Sequence, residues 1–100
     1  MIESQLDALR LQCSDYDERV FKTAQLFADT ARAAGMQLSF DLRIGEADAA
    51  AVLGYSPDHL QRIRREKTGP TAYRRGIGNK TRVSYRLVDL AHWIEGTRER

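Results

Sequence analysis

The chemistry this chain carries in quantity is that of guanidinium, ammonium and carboxamide groups. Between Arg62 and Arg86 stand nine basic residues and a single acid, Glu66, for a net charge of +8. The rest of the chain is different: residues 1–41 hold four basic and seven acidic side chains, and the whole protein carries only +2. Charge concentrated in this way points to a polyanion as partner for one part of the chain. A solvated basic face has the same composition, so charge alone leaves both readings open. Residue type adds to it. Gln61 can pair bidentately with adenine, and Arg62 or Arg65 with guanine O6 and N7, each pair discriminating by about 1–3 kcal/mol.

Other chemistries fail on inventory. His59 and His92 are far apart in sequence, and Cys13 lies in the other half of the chain. Nothing has the spacing of zinc ligands. Ser, His and Asp are present, but no nucleophile motif frames them. Gly76-Ile77-Gly78 lacks the strand-to-helix setting and the phosphate-binding lysine of a nucleotide loop. The expectation is a protein that is not an enzyme and takes no cofactor or metal. One cysteine forms no internal disulfide and suits a reducing compartment. No apolar run is long enough to cross a bilayer and the first residues do not read as a leader, so the expected location is the bacterial cytoplasm or nucleoid. A hydrophobic fraction of 42 % and a charged fraction of 30 % fit one small globular domain, with or without an arm.

The elements that must position these groups can be read in order. Ile2, Leu6 and Leu9 give weak helical spacing. Ser14 is a good N-cap for a helix whose first turn carries Asp15, Asp17 and Glu18. Val20, Phe21, Ala24, Phe27, Ala28 and Ala31 form its apolar stripe, and Gly35 ends it. Leu38, Phe40 and Leu42 alternate, which predicts a short extended segment or strand over 36–42. Glu46 to Leu53 reads as a helix with Ala47, Ala50 and Ala51 inward, joined by Val52 and Leu53. Gly54-Tyr55 breaks it, and Ser56-Pro57 starts another helix running to about Lys67. Residues 72–75 and 81–86 flank a glycine-rich tip and predict a β-hairpin, with Tyr73, Val83 and Tyr85 as packing residues. A last helix over about 87–95 presents Leu87, Leu90, Ala91 and Ile94, stops at Gly96, and carries Trp93 as a core residue.

Ile44-Gly45-Glu46-Ala47 through Tyr55-Ser56, then Lys67-Thr68-Gly69-Pro70, Tyr73, Arg82-Val83-Ser84-Tyr85-Arg86 and Leu87-Val88-Asp89-Leu90-Ala91-His92-Trp93-Ile94, resemble the excisionase-like and AlpA-like winged helix-turn-helix proteins, relatives of the MerR DNA-binding domain. The resemblance covers half to three-fifths of the chain, roughly Leu42 to Glu95, and leaves residues 1–41 outside. It implies a phage, plasmid or integrative-element protein that regulates transcription or directs recombination towards excision. It also implies that the helix from Pro57 to Lys67 enters the major groove and that the hairpin acts as a wing along the backbone or minor groove.

On that basis the fold expected is mainly α with a small β-hairpin, a winged helix-turn-helix over 42–96 preceded by an acidic helical extension over 1–41 and followed by a tail at 97–100. Leu60 and Ile63 anchor the reading helix, leaving His59, Gln61, Arg62 and Arg65 to read bases. Ser56, Arg64, Lys67, Arg74, Arg75, Lys80 and Arg82 are the candidates for phosphate contact. Asp58 is expected to stabilise the helix N-terminus. Val20, Phe21, Ala24 and Phe27 either pack over the following module or form a homodimer or cooperative array. A protein-interaction adaptor on the same scaffold is the alternative function.

Overall fold

The computed structural model describes residues 15–75 and 82–97, together with Gln5, Ala8 and Leu9, which are helical. Ile2, Leu6, the glycine-rich tip and the end of the expected tail lie outside the described residues. The elements are α1 (Tyr16–Ala33), β1 (Arg43–Gly45), α2 (Glu46–Leu53), α3 (Pro57–Arg65), β2 (Tyr73–Arg75), β3 (Arg82–Arg86) and α4 (Leu87–Gly96). The architecture is mainly helical, with a three-stranded antiparallel sheet in the order β1-β3-β2. Ile44 pairs with Tyr85, and Tyr73 with Ser84, so β3 is the central strand.

One face of the sheet and all four of these helices enclose the core. Ile44, Leu60, Tyr85, Leu87 and Leu90 are essentially fully buried, and Ala49 and Ala50 let α2 approach closely. The spacing of Leu87, Leu90 and Ala91 places all three on the buried side of α4. α1 lies along α4 and does not stand apart. Val20, Thr23, Ala28 and Ala31 are its buried residues. Glu95 ties the pair together, accepting from Arg19 Nε at 3.2 Å and from Thr23 Oγ1 at 3.0 Å. The Tyr16 hydroxyl lies 3.1 Å from His92 Nδ1. Packing over the rest of the chain is therefore the role the structure gives to most of the α1 stripe.

Several local expectations need correction. No strand spans 36–42; Ser39 to Leu42 form a turn, and the strand begins at Arg43. Phe21 is 63 % exposed, because the buried face of α1 turns towards Val20 and Thr23. Ala47 and Ala51 are exposed while Ala49 and Ala50 are buried, so α2 is rotated from its expected setting. Asp15 caps α1 by accepting from the Glu18 amide, Ser14 being outside the described residues. Gly96 closes α4 from within, with Thr97 as its C-cap.

Three helices end in the same way. After α1 the Met36 amide reaches Ala31 O, after α2 Tyr55 reaches Ala50 O, and after α3 Thr68 reaches Ile63 O, each at 2.8–2.9 Å. This closure needs one left-handed residue. Gly35 and Gly54 provide it at φ +71° and +76°, whereas α3 uses Lys67 at +58°. α3 therefore stops at Arg65, short of the expected Lys67. A lysine bears a steric cost there that glycine does not. Lys67→Gly should raise stability by about 0.5–1 kcal/mol, and Gly54→Ala should lower it by about 1 kcal/mol. Chemical denaturation checks both; a loss of stability in Lys67→Gly would contradict the assignment.

Candidate nucleic-acid interface

The local sequence of α3 explains how it presents its cations. Ser56 caps it, its Oγ accepting from the His59 amide at 3.1 Å, and Pro57 occupies the first turn. Leu60 is fully buried and Ile63 packs against the core, which fixes the rotation of the helix. Gly69 folds back over Ile63 so closely that a Cβ there would come 2.8 Å from Ile63 Cγ1. Arg62 and Arg65, three residues apart, are left exposed on one face. Asp58 is exposed in the first turn, where its charge favours the helix dipole. Lys67 is exposed just beyond the helix, and Gln61 is half-buried.

His59 is half-buried and meets Tyr55 edge-on, with ring centroids 4.9 Å apart. Its Nδ1 accepts from Arg62 Nη2 at 2.9 Å, so the Arg62 guanidinium is held near the helix surface. Tyr55 in turn accepts from Trp93 Nε1 at 3.2 Å, linking α4 to the turn between α2 and α3.

Arg64 has a different position from its neighbours. It forms a two-point ion pair with Glu46 of α2, Nη2 to Oε1 at 3.2 Å and Nε to Oε2, and its side chain is only 12 % exposed. The Tyr85 hydroxyl donates to Glu46 Oε2 at 2.8 Å. One carboxylate thus joins α2, α3 and β3. Arg64 is engaged inside the protein, and the outward cations of α3 are Arg62 and Arg65. Burial pushes the Glu46 carboxyl up, but the hydrogen bonds from Arg64 and Tyr85 and the Arg64 charge outweigh it and hold the group below its ordinary value. Burial and the bond to Glu46 raise the Tyr85 phenol well above its usual range.

The hairpin adds a second set. Arg74 and Arg82 are exposed, Arg74 opposite Val83 and Arg75 opposite Arg82. Lys80 lies outside the described residues. Tyr85 and Val83 pack inward as expected, but Tyr73 belongs to the other face. Two guanidiniums stand over its ring, Arg43 at 4.6 Å and Arg86 at 4.8 Å from the centroid. Arg43 and Arg86 are register partners, a pairing of like charges that is unfavourable without compensation. The Tyr73 ring and Asp41 supply it. Tyr73 donates to Asp89 Oδ2 at 2.8 Å, and Arg43 Nε, although buried, lies 2.8 Å from Asp41 Oδ2 as an ion pair outside hydrogen-bond alignment. Arg43 and Arg86 escaped the sequence-based site assignment; strand alternation from Arg82 through Ser84 to Arg86 was the available signal.

Among the described residues, no group of three His, Cys, Asp or Glu converges as a metal site, and no helix is long and apolar enough to cross a membrane. Compared with known proteins, the chain matches no family model, no curated protein and no solved structure.

The Glu46 junction gives a pH-dependent contribution to stability. A carboxyl whose folded pKa is depressed stabilises the fold fully above its unfolded value and loses that contribution as pH falls through the folded one. Glu46→Gln should cost about 2 kcal/mol at neutral pH. It should also flatten the stability curve between about pH 5 and pH 3. Urea unfolding across that range measures both, and an unchanged acid limb would show that the carboxylate is not the coupled group.

Proposed function

We propose that the chain binds double-stranded DNA with sequence preference, as a small transcriptional regulator or a recombination directionality factor of the excisionase-like and AlpA-like winged helix-turn-helix kind. In this reading α2 and α3 are the helix-turn-helix, α3 reads bases in the major groove, and β2 and β3 are the wing. The observation that carries it is the division of labour on α3: Arg64 is bound internally while Arg62 and Arg65 face outward together. A helix rigidly seated by Leu60, capped by Ser56 and pinned through Glu46 presents those cations at a defined angle, which base reading requires. Gln61 and His59 flank them. Ser56, Lys67, Arg74, Arg75, Lys80 and Arg82 supply phosphate contacts, which set register and affinity without selecting sequence.

Selection of preferred duplexes from a random pool, followed by fluorescence anisotropy over a salt series, tests the proposal. The logarithm of affinity should fall linearly with the logarithm of salt. Replacing Arg62 and Arg65 with Ala should reduce the preference for the selected site over random DNA by about 10- to 100-fold. Replacing Arg74 and Arg82 with Ala should weaken all duplexes alike and lower the salt slope by about one for each phosphate no longer neutralised. Absence of binding to any duplex at low salt would overturn the DNA reading and return the adaptor function.

A further inference from the structure

A cleft of about 870 Å³ opens between α1, the turn after Phe40 and the start of α4, on a side of the molecule built from elements other than α3. Phe21, Leu26, Leu42 and Val88 line it, and all four are among the exposed large hydrophobic residues. Beside it stands Phe40, 94 % exposed. Its exposure is imposed by the turn that carries it. The Leu42 amide donates to Ser39 O and the Ser39 amide to Arg43 O, both at 3.0 Å. Ser39 Oγ donates to Asp41 Oδ1 at 2.6 Å and accepts from the Arg43 amide at 2.9 Å. Leu42 is held at φ +59°, and its carbonyl accepts from the Leu87 amide at 3.0 Å at the cleft floor. A bond-rich turn containing a strained leucine holds a phenylalanine in water. Because the turn holds it outward, Phe40 does not fill the cleft beside it.

We propose that a second copy of this chain fills it: two molecules meet about a two-fold axis, each inserting Phe40 into the other's cleft. The observations favour that occupant over others. Knob and hole lie on the same chain, and Asp41 and Leu42, immediately after the knob, belong to the hole. One isologous contact therefore satisfies both copies at once. Lys22, Arg32 and Arg86 at the cleft are nearly balanced by Asp29 and Asp41, which disfavours a polyanion or a strongly charged peptide and suits a surface meeting itself. Along α1 Lys22 pairs with Glu18 at 3.6 Å and Arg32 with Asp29 at 3.7 Å, so two copies meeting here bring together faces close to neutral rather than like charges. This interface differs from the expected stripe of Val20, Phe21, Ala24 and Phe27, since Val20 is buried within the chain and only Phe21 and Ala24 of that set line the cleft. It is independent of the DNA reading.

Sedimentation of the full chain without DNA should show a reversible equilibrium reaching twice the 11.4 kDa of one chain at high micromolar concentration. Phe40→Lys and Val88→Glu, both at exposed positions, should each raise the dissociation constant at least about thirtyfold while leaving the thermal melt of the monomer unchanged. Mixing the two variants should restore association. The mixed pair keeps one native insertion of Phe40 into a cleft. At the other it sets the lysine introduced by Phe40→Lys in one copy against the glutamate introduced by Val88→Glu in its partner. A wild-type chain that stays monomeric overturns the proposal, whatever else covers the cleft. So does a dimer indifferent to Phe40→Lys, or a mixture that fails to associate.

Discussion

Glu46 sits at the first position of α2, yet its carboxylate serves three elements. It accepts from Arg64 of α3 and from the Tyr85 hydroxyl of β3. The angle between α2 and α3, and the seating of both on the central strand, follow from that shared acceptor. The arrangement works because every member has a partner. Tyr85 is fully buried, and its hydroxyl would be costly without one. Arg64 is nearly as enclosed, and its charge is matched at two points by the carboxylate. In a domain this small, with few large residues in its core, a polar junction of this kind adds geometric definition that apolar contact alone does not supply.

The arginines show how one residue type is put to several uses. Arg64 is structural and Arg19 fastens α1 to α4. Arg43 and Arg86 stand over the Tyr73 ring on the outer face of the sheet. Arg62 and Arg65 are left to face solvent on α3. Composition counts all of these equally. A concentrated positive segment is therefore a poor measure of how many cations are available to a partner, and the fold reduces that number.

The elements with local signals were legible in the sequence. The bounds of α2, the Ser56-Pro57 start of α3, the two hairpin strands and the apolar side of α4 all rest on caps, breakers and short periodicities. What was not legible depends on distant partners. The alternation of Leu38, Phe40 and Leu42 is strand-like, but β1 forms where residues 43–45 can pair with β3, some forty residues later. The left-handed Leu42 interrupts the extended path before that point. The rotation of α1 was likewise undetermined, because Phe21 and Val20 fit an apolar stripe equally well. Only the packing of α4, through Glu95, selects between them. On α3 the exposure of Arg62 and Arg65 followed from the spacing of Leu60 and Ile63, whereas the capture of Arg64 required knowing that Glu46 stands beside it.

The bond from Trp93 to Tyr55 has a practical consequence. Trp93 is the only tryptophan in the chain, and its indole nitrogen contacts the residue that joins α2 to α3. It is half-buried where α4 meets that turn. The chain thus carries an intrinsic fluorophore at the joint between its last helix and its two short ones. Its emission wavelength and quenching follow the separation of those elements, so the joint can be watched in the unlabelled protein.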